Sequence, residues 1–168
     1  KSTFDALFSS HVIEHQLDFI GHLQKASNLL RNGGRYYMII PDKRYCFDHY
    51  NRESSIAEII NAHFEDRHLH SLKSIIEHKA LTTHNKPLKH WLGIHGVISD
   101  QQKKIESAIE LFKSGKYIDV HQWYFTPNSF CNIISLLQKL NYLDFEVKKL
   151  YKTRFRRLEF YIVLQKMA

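Results

Sequence analysis

The sequence predicts a mixed α/β domain. Three observations carry that reading: a strand–helix–strand succession over residues 4–40, a helix-rich stretch over 51–116, and a last helix followed by two apolar, strand-length runs joined by a short turn. The chain has 168 residues, 43% hydrophobic and 24% charged, which suits one globular domain or a domain with a lobe and excludes disordered or collagen-like order. Six Gly and three Pro are too few for a loop-dominated fold.

Residues 4–10 open the pattern as a strand, with Phe4, Ala6, Leu7 and Phe8 apolar and Ser9, Ser10 and His11 closing it. Residues 16–31 read as a helix: Leu17, Ile20, Leu23, Leu29 and Leu30 lie near one face, and Asp18 in the first turn suits the helix dipole. Asn32-Gly33-Gly34 is expected to end it, since glycine accepts the left-handed conformation of a helix C-terminus. Residues 35–40 form the next strand, stopped by Pro41. Strand, crossover helix and strand make a βαβ unit, whose two strands run parallel.

Ser54 or Ser55 caps a helix with Ile56, Ile59, Ile60 and Phe64 inside. Residues 69–81 give another, with Leu72, Ile75, Ile76 and Ala80 inward. Residues 82–98 hold Pro87, Gly93 and Gly96 and read as loop anchored by Trp91 and Leu92; residues 100–113 form a third helix, ended by Ser114-Gly115. Thr126-Pro127 is a strong helix start, a capping hydroxyl followed by proline at the first helical position. Phe130, Ile133, Ile134, Leu137 and Leu140 continue the buried stripe. Residues 145–153 and 158–165 then read as an antiparallel hairpin, the second strand apolar enough on both faces to be covered on both sides.

The formal net charge is +7, which favours anionic partners, but the basic residues are dispersed and no nucleic-acid reader motif accompanies them, so no nucleic acid is expected. No stretch approaches the length of a membrane span. Cys46 and Cys131 make no disulfide framework and no paired metal spacing, so a reduced, cytoplasmic setting is expected. Twelve histidines are many for this length, yet His63, His68 and His70 are the nearest approach to a ligand spacing; no metal is expected, and most histidines are assigned to exposed helix surface. A His-rich metal hydrolase is a minor alternative.

The ordered segments resemble a known family. Phe4-Asp5-Ala6-Leu7-Phe8-Ser9-Ser10-His11-Val12-Ile13-Glu14-His15, then Leu30-Arg31-Asn32-Gly33-Gly34-Arg35 and the strand to Pro41, is similar to the fourth strand, turn, helix end and following strand of class I S-adenosylmethionine-dependent methyltransferases. The stretch from Asp119 to Phe130 and the terminal hairpin resemble the family's last third. The segment from Pro41 to Tyr50 looks like a bacterial subgroup, some of it linked to surface-sugar synthesis. The resemblance covers residues 4–50 and 117–166. It implies a partial Rossmann-like methyltransferase sheet, a parallel βαβ unit plus a C-terminal antiparallel hairpin, formed by 1–50 and 117–168 with 51–116 as a helical insertion.

The departure matters equally. No G-x-G occurs anywhere, whereas the family holds its cofactor mainly with a glycine-rich loop that lets backbone approach the ligand closely. The chain, which begins at Lys1 and opens almost directly on a strand, is therefore expected to be the C-terminal part of a methyltransferase, with weak or no S-adenosylmethionine binding by itself. The resemblance implies a small-molecule or sugar-like acceptor, and a non-catalytic remnant or interaction module is the alternative.

Ligands in open α/β folds sit at the carboxyl edge of the parallel strands. By resemblance Ser9, Ser10 and His11 lie beside the cofactor's methionine part; the other reading is a polar strand end that caps the next helix. His15 either takes a proton from an acceptor hydroxyl or packs against the sheet beside Glu14. In some O-methyltransferases of this kind the same Glu-His pair helps hold a divalent cation. Asp42 orients an acceptor hydroxyl while Lys43 and Arg44 bind an anionic group, or the three form a salt-bridged turn. His121 and Trp123 line an acceptor pocket, or Trp123 belongs to the core; Tyr45, Phe47, His49 and Tyr50 join the pocket or anchor the insert. The edge over residues 4–9 is expected to lack a partner strand and to drive self-association.

Overall fold

The computed structural model describes residues 4–168. Its centre is a four-stranded sheet. Strand β1 (Phe4–Ser10) runs parallel to β2 (Leu30–Pro41), with helix α1 (Phe19–Leu29) crossing between them. Strands β3 (Phe145–Tyr151) and β4 (Glu159–Lys166) form the antiparallel hairpin, and β4 inserts beside β2 to give the order β1-β2-β4-β3. This mixed sheet with a parallel first pair has the arrangement of a partial Rossmann-like fold, and both the βαβ unit and the hairpin stand as the sequence pattern predicts.

Helix α1 is shorter than the periodicity suggests. Residues 13–15 form a separate 3₁₀ turn, and Asp18 is the N-cap, its side chain accepting from the Gly21 amide at 2.9 Å. The glycine pair does not end the helix. Leu30 is already extended, and the pairing register jumps from Phe4–Leu30 to Ala6–Arg35, so residues 31–34 bulge out of β2 with Gly33 at φ 76°. A side chain at Gly34 would stand 2.8 Å from the Arg31 carbonyl oxygen. The glycines therefore serve the strand entry rather than the helix exit.

One face of the sheet is fully packed. Tyr36, Met38 and Ile40 of β2 and Phe160, Ile162 and Leu164 of β4 meet Phe19, Ile20 and Leu23 of α1. Helix α6 (Pro127–Lys139) adds Phe130, Ile133, Ile134 and Leu137 to the same cluster. Thr126 caps α6 through a reciprocal pair with Ser129, and Pro127 follows at the first helical position. Thr126→Ala is expected to lower stability by about 1 kcal/mol, read as a shift in the urea midpoint at unchanged slope.

The other face is open, contrary to the two-sided cover expected of the last strand. Tyr37, Tyr161 and Val163 floor a groove of about 950 Å³ that also takes Phe8, Arg154 and Arg157. Phe8 is 76% exposed and stacks on Tyr37 at 4.8 Å. Among the described residues β1 pairs only with β2, so its outer edge is free.

Between β2 and α6 lie helices α2 (Ile56–Phe64), α3 (Leu72–Ala80), α4 (Pro87–Trp91) and α5 (Gln101–Lys113). Ile59 and Ala62 of α2 join the main core, while Ile75, Ala108 and Val120 make a second small core where α3 packs on α5. Helix α4 falls inside the stretch that reads as loop. Its Trp91 is the expected anchor: it stacks on Tyr45 at 3.9 Å and donates to the Arg157 carbonyl at 2.9 Å. Leu92 anchors nothing and is 62% exposed.

Candidate functional site

The carboxyl ends of β1 and β2 lie side by side, because the strands are parallel and in register up to Ser10–Ile39. His11 continues β1 by donating its amide to the Ile39 carbonyl at 3.0 Å, then turns the chain at φ 53° into the 3₁₀ turn that carries Glu14 and His15. The segment 120–125 docks onto that turn. The Glu14 carbonyl accepts from the Gln122 and Trp123 amides at 2.7 and 3.1 Å, and the Phe125 carbonyl accepts from the Lys43 backbone amide at 2.9 Å. This docking brings His121 to residues more than a hundred positions earlier in the chain.

The result is a buried cluster at the sheet edge. One ligand atom from each of Glu14, His15 and His121 lies within 4.8 Å of the others. Glu14 is 0% exposed, and neither of its carboxylate oxygens has a hydrogen-bond partner. His121 donates from Nδ1 to Asp48 Oδ2 at 2.6 Å, which leaves Nε2 as the nitrogen that can act as a ligand when the ring is neutral. His15 Nδ1 lies 2.8 Å from Asp119 Oδ1 as an ion-pair contact without hydrogen-bond alignment. The two rings meet edge to face at 4.7 Å.

Burial raises the Glu14 pKa from 4.5 to about 7, against the pull of its own backbone amide and of His121. Burial and the neighbouring His121 lower that of His15, with Asp119 opposing. For His121, burial acts downwards, but the hydrogen bond and charge of Asp48 outweigh it and the pKa is raised. His78, beside His121, is lowered to about 4, chiefly by burial.

A carboxylate with two imidazoles, each backed by a second carboxylate, is a donor set that suits a divalent ion of borderline character. The orphaned buried carboxylate fits that occupant, since a charged group out of water needs a counter-charge or a proton. Glu14, His15 and His121 are the residues that would hold it. Spacing along the chain does not give the whole set, which is why no metal was expected from it; Glu14-His15 supplies two of the three residues, and His121 arrives only through the docked segment.

The other sequence candidates separate into two groups. Ser9 and Ser10 line the open groove at the end of β1, together with Glu159. His11 stands between groove and cluster, its Nε2 3.7 Å from Glu159 and its Nδ1 3.4 Å from Glu14. Asp42 is buried and its oxygens are engaged, with Arg44 Nε and a terminal guanidinium nitrogen at 2.8 and 2.6 Å and Thr153 Oγ1 at 2.6 Å. That is the salt-bridged turn of the second reading. Lys43 donates to the His49 carbonyl at 2.8 Å, and burial lowers its pKa. Trp123 is a core residue, 3% exposed, packed on Phe19 and donating to the Gln16 carbonyl at 2.6 Å; its remaining edge borders a small recess with Gln122, Ser74 and Lys73, apart from the groove that Ser9 and Ser10 line. His63 and His70 also part company: the first pairs with Asp18 and the second with Gln122. His70, His90 and His121 are buried rather than exposed.

No helix of the described residues is long and apolar enough to cross a membrane. No family model matches the chain. No curated protein matches it. Among solved structures, the chain is similar to phosphoethanolamine N-methyltransferase 2 of Haemonchus contortus in complex with S-adenosyl-L-methionine, at 16% identity and a TM-score of 0.29. The match covers 99% of this chain and 34% of that one, so the chain spans about a third of that protein's length. At that TM-score the likeness carries no argument for this chain.

Proposed function

We propose that the chain is the acceptor-side portion of an S-adenosylmethionine-dependent methyltransferase whose Glu14, His15 and His121 hold a divalent cation next to the acceptor. The observation that carries the reading is the Glu14 carboxylate, buried without a hydrogen bond at the carboxyl edge of a parallel strand pair. The order of sequence segments that resembles the methyltransferases supports it from a separate side. Residues 51–116 would be an insertion that roofs this edge, and the acceptor a small or sugar-like hydroxyl compound, with surface-sugar synthesis as the setting.

In this reading S-adenosylmethionine, when bound, supplies a methyl group already activated on a sulfonium. A divalent cation, when bound, lowers the pKa of a hydroxyl that contacts it. The chain's residues then orient and hold. Ser9 and Ser10 flank the cofactor's methionine part, and His11 stands between that place and the cation site. Glu14 offsets the ion's charge, and Asp48 and Asp119 fix the two imidazoles from behind. Arg44 and Lys43 border the acceptor, while Asp42 keeps Arg44 in place as a positioning residue instead of taking a proton. His15 would be the proton acceptor only in a cation-free variant of the scheme, which leaves the Glu14 carboxylate unexplained.

The test is Mn²⁺ titration followed by the loss of the free-ion electron paramagnetic signal. One equivalent bound by the parent chain and none by His121→Gln is expected; equal binding by both would overturn the reading. Calorimetry with S-adenosylmethionine is expected to give weak binding or none, because no G-x-G loop is present to take the adenosyl end. Micromolar binding would show that the groove alone suffices. The free β1 edge would pair with a second copy, and a monodisperse monomer in light scattering would count against that.

A further inference from the structure

Four histidines outside this site gather where α4 meets the turn after β2. The local folding explains how. Pro87 starts α4, and Gly93 ends it at φ 76° in a Schellman motif: its amide bonds the His90 carbonyl at 3.0 Å and the Ile94 amide bonds the Lys89 carbonyl at 2.8 Å. The reversal returns the chain so that His95 faces His90. Gly96, at φ 78°, has its carbonyl held by the Tyr50 hydroxyl at 2.9 Å, which keeps the loop against the turn that bears His49.

The hydrogen bonds behind these rings set their tautomers. His90 Nε2 faces the His84 carbonyl at 2.9 Å and must donate, which leaves Nδ1 a bare lone pair. His49 Nδ1 faces the Arg44 carbonyl at 2.8 Å and must donate, which leaves Nε2 bare. His90 Nδ1 and His95 Nδ1 approach to 3.1 Å, close to the roughly 3.3 Å between two nitrogens of a tetrahedral zinc site. One nitrogen from each of His49, His90 and His95 lies within 4.8 Å of the others. His84 is excluded as a ligand, since its Nε2 faces the Ile94 carbonyl and its Nδ1 the Lys86 amide. Carbonyls that orient imidazoles from behind are the usual outer support of a metal-bound histidine.

We infer that His49, His90 and His95 form a second, all-imidazole metal site that takes Zn²⁺ or a similarly borderline transition ion, with solvent as the fourth ligand. The donor set contains no carboxylate, so it discriminates against Mg²⁺ and Mn²⁺, which prefer oxygen. His95 must turn out of its stack on His49, 3.5 Å away, and its seat between two left-handed glycines allows that turn. The consequence is a clip: the ion would tie the loop after α4 to the turn 43–49, whose His49 carbonyl holds Lys43 and whose Arg44 carbonyl holds His49. This inference does not depend on the methyltransferase reading.

The experiment uses tag-free chain carrying Glu14→Gln, so that the first site is out of play. Titration with Zn²⁺ is expected to fill one equivalent with micromolar or tighter affinity, while Mn²⁺ gives none. His49→Gln and His95→Gln, each added to that background, are expected to weaken Zn²⁺ binding at least about 10-fold. In the same titration without those changes, the ring-nitrogen resonances of His49, His90 and His95 should shift together, a readout that needs no further variant. No Zn²⁺ bound by the Glu14→Gln chain, binding unchanged by both histidine substitutions, or shifts confined to other histidines would overturn the site.

Discussion

Glu14→Gln is expected to stabilise the cation-free chain above neutral pH by about 1–2 kcal/mol and to abolish its stabilisation by Mn²⁺. The two signs come from one fact, the burial of a carboxylate that accepts no hydrogen bond. Its pKa is raised from 4.5 to about 7, so the folded chain binds that proton more tightly than the unfolded chain. Stability attributable to Glu14 therefore falls as pH rises from 4.5 to about 7, and the full penalty, about 3 kcal/mol, is in force above that. Glutamine removes the charge but leaves a buried amide, which keeps part of the cost. A bound divalent ion offsets the charge in the parent and adds about 2.7 kcal/mol at a hundredfold excess over its Kd. Glutamine cannot reproduce that. Chemical denaturation of both chains, with chelator and with Mn²⁺, measures the four stabilities; a variant less stable in chelator would mean that Glu14 is a structural anion and not a waiting ligand.

A second group masks this pH dependence in the parent chain. His78 lies against His121, His15, Asp48, Lys79 and the Phe47 ring, and its pKa is lowered to about 4. The unfolded chain then binds the His78 proton more tightly, so this contribution rises with pH between about 4 and 6.5. Glu14, faced by His11, His121, Asp48 and Asp119, supplies the opposite slope across nearly the same interval. Removing the carboxylate should expose the slope of His78 together with that of His15, His22 and His70, whose pKa values burial also lowers, as stability that climbs with pH.

Local signals and long-range placement differ in how far they can be read from the chain. The caps at Thr126 and Ser55 and the α6 stripe of Phe130, Ile133, Ile134 and Leu137 depend on neighbours within a few residues, and the structure has them where the residues put them; Leu140 and Phe64, expected inside, are 53% and 71% exposed because each falls where its helix ends. The glycine pair misleads because the same left-handed freedom serves a helix end and a strand bulge equally well, and the choice is made by the register with β1. Trp123 misleads for a related reason. A large aromatic beside a strand end suits a sugar or a core, and only its docking on the Glu14 carbonyl decides between them. The cation site lies beyond sequence reasoning in its decisive part: Glu14-His15 is adjacent in the chain, but Asp48 arrives from one distant segment and Asp119 and His121 from another. The histidine trio at α4 has one member in the turn after β2 and two spaced five apart across a glycine reversal, a pattern that matches no helical ligand spacing.

Asp48→Ala is expected to lower stability by about 3–5 kcal/mol near pH 6, the largest loss at any polar position of the site. Asp48 is buried at 2% exposure and accepts from His121 Nδ1 at 2.6 Å, from Asn51 Nδ2 at 3.3 Å and from Cys46 Sγ at 3.5 Å. Alanine leaves all three donors without a partner in a volume closed to water. The pH dependence identifies which of them matters most. Burial alone would lower the His121 pKa, and it is Asp48 that raises it, so the imidazolium stabilises the folded chain fully below its unfolded value of 6.5. That contribution fades as pH rises through the elevated folded value, where the ring is neutral in both states. The deficit of Asp48→Ala should therefore shrink as pH rises from 6.5 through the elevated folded value of His121. Asp48→Asn keeps an acceptor for the Nδ1 proton and should recover roughly half of the loss, since a neutral hydrogen bond is worth about half of a charge-assisted one. The same substitution leaves His121 oriented, whereas alanine frees the ring, and cation affinity should drop about 10–100-fold in the alanine chain. Urea denaturation across that pH range, with Mn²⁺ titration of each variant, separates the effects: a deficit independent of pH, with unchanged Mn²⁺ affinity, would reduce Asp48 to packing.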